Sequence, residues 1–120
     1  MIDYKNMSLE ELLPLEAENP NDGRLMHKIG LEYYNKLNDY ETALKYFEKA
    51  VELGYYDAYT SLAYHYTTLN KEYTDMEKGV SYLRLGMEHD IDTSFFYMAY
   101  ISFFKDEIAL IYKNICKIYC

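Results

Sequence analysis

The chain has 120 residues, 50% of them hydrophobic and 27% charged, with a net charge of −8. A chain of that length buries roughly two-thirds of its unfolded surface and supports one compact core without disulfide or metal staples, and its composition lies outside the low-hydrophobicity, high-charge regime of disorder. The negative balance argues against a nucleic-acid partner, because phosphates are neutralised by basic side chains.

Residues 1–23 read as an acidic lead-in, partly helical. Asp3, Glu10, Glu11, Glu16, Glu18 and Asp22 face only Lys5 there. Ser8 and Glu11 have the spacing of a capping box ahead of Leu12 and Leu13, and Pro14 is expected to permit a continuous helix only if it falls in the first turn. Asn19-Pro20-Asn21-Asp22-Gly23 is a strong turn signal.

From residue 24 the chain echoes itself. Leu25, Ile29, Gly30 and Tyr33 recur as Ala58, Leu62, Ala63 and Tyr66, then as Ser94, Met98, Ala99 and Ser102. Interleaved with these, Ala43, Leu44, Tyr46, Phe47 and Ala50 recur as Gly79, Val80, Tyr82, Leu83 and Gly86, with Ala109, Leu110, Tyr112 and Cys116 as a weaker last copy. A small residue, a tyrosine three later and a second small residue seven later share one helical face. Small residues let two antiparallel helices approach where their axes cross, and tyrosines fill the wider gaps. The pattern assigns crossing positions to Gly30, Ala43, Ala50, Ala63, Gly79, Gly86 and Ala99. Asn38-Asp39 and Thr74-Asp75 are expected N-caps, with Gly54 and Asp90 as helix ends. Helices are expected over 24–37, 40–53, 57–69, 75–89, 92–104 and 106–119. The domain is therefore 24–120, in units of about 24–57, 58–93 and 94–120.

Ala43, Leu44, Tyr46, Phe47, Ala50, Gly54 and Ala58 resemble the second half of a Sel-one-like repeat, of the tetratricopeptide-like superfamily; Ala58, Leu62, Ala63 and Tyr66 resemble the opening of the next. Asp90 stands where that family favours the glycine matched by Gly54, and Ser102 replaces its tyrosine. The resemblance implies an all-α fold, a short right-handed alpha-alpha superhelix or solenoid of about three helix-turn-helix repeats. It also implies a protein-protein interaction or scaffold role without catalytic residues.

In such a solenoid the first helices line the concave surface. The groove residues implied are His27, Leu31 and Tyr34, then Thr60, Tyr64 and Thr67, then Phe96, Tyr100 and Phe103. An aromatic groove suits a helix or an extended peptide. The Lys, Asn and Arg with which some tetratricopeptide proteins clamp a terminal carboxylate are absent from these positions.

His27, His65 and His89 are scattered and show no metal-ligand spacing, and Cys116 and Cys120 have no second pair. No phosphate loop or nucleophile elbow appears. We therefore expect no metal, no cofactor and no enzyme activity, and another protein as partner. The chain shows no signal-peptide pattern, and its longest apolar run, 95–104, is about half the roughly 20 residues of a membrane span, so the expectation is a soluble, cytoplasmic chain without a membrane partner. Ile108, Ile111, Tyr112, Ile115, Ile118 and Tyr119 would give the last helix a broad apolar face where solenoids carry a polar cap. The alternative reading is thus a self-assembling structural protein, a homo-oligomer built through that helix.

Overall fold

Aspartate side chains cap the starts of three helices. In the computed structural model, which describes residues 3–68 and 72–103, Asp22, Asp39 and Asp75 each accept a hydrogen bond from the backbone N–H three residues on, at 3.1, 3.2 and 3.1 Å. Each satisfies a donor that the first helical turn cannot. The elements that follow are α1 (Leu9–Glu18), α2 (Gly23–Lys36), α3 (Tyr40–Glu52), α4 (Ala58–Thr67), α5 (Met76–Glu88) and α6, helical over 92–103. Among the described residues there is no strand, so the chain is all-α. The last expected helix, 106–119, and both cysteines lie outside the described residues.

The expected capping box is present in α1, where the Glu11 N–H donates to Ser8 Oγ and the Ser8 N–H to Glu11 Oε1. The expectation for Pro14 fails: α1 runs straight through it, beyond the first turn. Pro14 is exposed, so the backbone carbonyl that its missing N–H leaves without a helical partner can turn to water.

Two helices end in the same hydrogen-bonded turn. The Tyr55 N–H reaches the Ala50 carbonyl at 2.9 Å and the Gly54 N–H that of Val51 at 3.0 Å, while the Ile91 N–H reaches Gly86 and the Asp90 N–H reaches Met87, both at 3.0 Å. This is the Schellman arrangement, which needs a left-handed residue after the helix. Gly54 supplies it with φ +90° and Asp90 with φ +58°.

Consecutive helices pack on one another, and the core lies between them in three clusters. Tyr4, Leu12, Leu25 and Ile29 join α1 to α2; Met26, Ala43, Phe47, Ala50, Ala58 and Leu62 fill the space among α2, α3 and α4; Ala63, Leu83 and Ile101 link α4, α5 and α6. Each fully buried Leu, Ile or Phe contributes roughly 1.5 to 3 kcal/mol. The acidic segment is tied in through Tyr4, which donates to Asp22 at 2.6 Å, and Glu16, which accepts from Tyr46 at 2.9 Å.

At Gly30 and Gly79 the paired helices approach closely. A Cβ built on Gly30 would stand 2.7 Å from the Phe47 ring and 3.2 Å from the Ala43 carbonyl, and one on Gly79 would stand 3.3 Å from the Ala63 carbonyl. Ala43, Ala50, Ala63 and Gly86 are equally buried, whereas Ala99 is exposed and the helix expected to cross it falls outside the described residues. Beside each crossing two tyrosines stack, Tyr33 on Tyr46 at 5.7 Å and Tyr66 on Tyr82 at 6.0 Å.

Candidate interaction surface

Hydrogen bonds stitch α2, α4 and α6 side by side. His27 Nε2 meets Ser61 Oγ at 2.8 Å and Tyr34 Oη meets His65 Nδ1 at 3.1 Å; from α4, Thr60 Oγ1 lies 2.8 Å from Ser94 Oγ and Thr67 Oγ1 2.8 Å from Tyr97 Oη. The paired positions are 30 to 34 residues apart and rise together along each helix, so the three helices run in the same direction. The face that they make together carries most of the exposed aromatics: Tyr64, Phe96, Tyr100 and Phe103 are 53%, 76%, 56% and 64% exposed. On α6, Phe96, Tyr100 and Phe103 follow a spacing of four and three, which places them on one stripe.

The nine expected groove residues divide into two kinds. Leu31, Tyr34, Thr60 and Tyr64 line a cavity of about 250 Å³ with Asn35, Phe47 and Ser61, and Phe96, Tyr100 and Phe103 present exposed rings beyond it. His27 and Thr67 serve the scaffold instead. Thr67 is buried, its hydroxyl donating to the Ala63 carbonyl at 2.8 Å and meeting Tyr97. His27 lies between Phe47 and Tyr55, ring centroids 5.5 and 5.3 Å away, and burial lowers its pKa to about 4. It is a neutral hydrogen-bonding group near pH 7.

Next to the first cavity, and sharing Thr60 and Ser61 with it, lies a second of about 460 Å³. Its wall includes His27 and Tyr55 together with Asp57, Asp90 and Asp92. Asp57 precedes α4 but, unlike the other three aspartates at helix starts, makes no capping hydrogen bond. Its carboxylate lies at the Tyr55 hydroxyl, whose pKa is raised by burial first and then by Asp57. Among the described residues no basic side chain forms an ion pair with Asp57, Asp90 or Asp92. No group of three or more His, Cys, Asp or Glu among the described residues could hold a metal ion.

Sequence reasoning missed a cluster behind the groove. His65 is buried, stacks on Tyr73 at 4.2 Å and accepts or donates at Tyr34, whose ring lies 4.6 Å from Tyr40. The signal was available: Tyr40 and Tyr73 are 33 residues apart, the same offset as Leu25 and Ala58.

Set against protein-family models, curated proteins and solved structures, the chain matches none of them. Among the described residues no helix is long and apolar enough to cross a membrane.

Proposed function

We propose that the chain is a protein-interaction module, a short solenoid of Sel-one-like or tetratricopeptide-like helix pairs that binds a partner protein along the face of α2, α4 and α6 and catalyses no reaction. The observation that carries this reading is the gathering of exposed aromatic rings, Tyr64, Phe96, Tyr100 and Phe103, on the face where the first helices stand side by side. Contiguous exposed apolar surface of this kind marks interaction sites, and rigid aromatic side chains give contact area at small entropic cost. The shared Schellman ends, aspartate caps and tyrosine stacks of α2/α3 and α4/α5 support the repeat reading. The alternative, self-assembly through the apolar face of 106–119, lies outside the described residues.

An affinity capture from the native source tests the proposal, comparing the unaltered chain with a Tyr64→Ala, Tyr100→Ala variant. Both rings are more than half exposed, so folding should change by less than about 1 kcal/mol, whereas losing an aromatic anchor typically weakens binding by about 2 kcal/mol, roughly 30-fold. A captured protein that vanishes with the folded variant supports the groove. A partner set that does not change moves the binding surface elsewhere.

A further inference from the structure

The two cavities beside α4 share a wall and differ in character. The smaller is walled by Leu31, Tyr34, Phe47 and Tyr64; the larger carries Asp57, Asp90 and Asp92; Thr60 and Ser61 belong to both. We propose that the partner presents a short extended segment with a lysine or arginine in the acidic cavity and a large apolar or aromatic side chain in the smaller one. This deepens the groove reading above and rests on it.

Charge complementarity selects the basic end. Among the described residues none of the three carboxylates forms an ion pair, and His27, in the same wall, is held neutral by burial. Lys28, next to it on α2, is engaged with Glu32 at 2.8 Å, and Arg24 lies over the Tyr4 ring at 4.7 Å and does not line the cavity. Asp57, Asp90 and Asp92, all exposed, thus set three negative charges around a volume that would hold a long side chain, which is complementary to a basic group. A carboxylate or phosphate would meet like charge here, which agrees with the missing carboxylate clamp.

Helix geometry sets the spacing. From Asp57 to Tyr64 is seven residues of α4 or its cap, about 10 Å at 1.5 Å per residue, which an extended chain covers in about three residues at roughly 3.3 Å each. The recognised pattern is thus a basic residue and a large apolar residue about three positions apart.

The experiment selects peptides from a random displayed library on the full chain, then measures the winners against Asp57→Asn, Asp90→Asn, Asp92→Asn combined, and separately against Tyr64→Ala. Asparagine keeps the volume, tolerates the left-handed conformation at Asp90, and removes no side-chain cap at Asp57. The expected winners carry the basic and apolar pair, bind at least about tenfold more weakly to the triple variant, and weaken as salt is raised. Winners that lack a basic residue, or that bind the triple variant equally well while losing affinity for Tyr64→Ala, overturn this inference and leave the groove standing. Winners indifferent to both variants, or no winners, overturn both.

Discussion

In the pair α2/α3 a glycine at the crossing, Gly30, belongs to the first helix and faces the Ala43 carbonyl; in α4/α5 a glycine there, Gly79, belongs to the second and faces the Ala63 carbonyl. The approach distances, 3.2 and 3.3 Å from a notional Cβ, are nearly the same. What the crossing requires is small combined bulk, and either helix can supply the glycine. The space above the crossing is closed differently. In the first pair the Phe47 ring covers Gly30, and in the second the Thr67 methyl group covers Gly79. The first pair thus gains a large apolar knob. The second accepts a smaller one, and the Thr67 hydroxyl then meets Tyr97 at 2.8 Å and connects the pair to α6.

That contrast predicts the largest effect. Phe47→Ala should cost about 3 to 5 kcal/mol, since it empties the centre of the main cluster, whereas Thr67→Ser, which removes only the methyl over Gly79, should cost about 1 kcal/mol. Urea unfolding of the two variants measures both, and losses of similar size would mean that the two crossings depend on their covering residue alike.

The pairs can also be compared through their histidines. Burial lowers the pKa of His27 to about 4 from 6.5, with Asp57 opposing and Lys28 assisting, and burial lowers that of His65, with Lys78 assisting. A folded pKa below the unfolded one means that the unfolded chain binds the extra proton. The stabilisation from each neutral imidazole is therefore complete above about pH 6.5 and is lost as pH falls, for His27 down to about pH 4. Between about pH 7 and pH 5 the His27 share amounts to roughly 2 kcal/mol. His27→Asn should flatten the stability profile across that interval, as read by urea midpoints at a series of pH values. An unchanged slope would show that His27 does not titrate with folding.

Much of this architecture was written in local chemistry. Asp39 and Asp75 announced helix starts, Gly54 and Asp90 announced ends, and the spacing of small residues located the crossings, because each of these depends on a few neighbouring residues. Pro14 was misread because its tolerance depends on exposure, which no local pattern encodes. Tyr34 and Thr67 occupy corresponding positions by the 33-residue offset, yet one lines a cavity and the other is buried against Tyr97, a choice made by α6. The acidic cavity was illegible for the same reason. Asp57 and Asp92 belong to different turns, and only the side-by-side placement of α2, α4 and α6 gathers them with His27.

The smallest predicted effect separates the two helix ends. Nothing lies within 4 Å of a Cβ built on Gly54, so Gly54→Ala meets no steric contact, and its cost is that of forcing an L-residue to φ +90°, about 1 to 2 kcal/mol. At Asp90 the strain is already present in milder form, and Asp90→Gly should raise stability by less than about 1 kcal/mol, since glycine relieves the left-handed backbone but also loosens the unfolded chain. Thermal melts should therefore move in opposite directions by a few degrees, downward for Gly54→Ala and upward for Asp90→Gly. Shifts of the same sign would mean that the carboxylate of Asp90 contributes more than its backbone conformation costs, which the double variant Asp90→Asn, Gly54→Ala would then divide between charge and geometry.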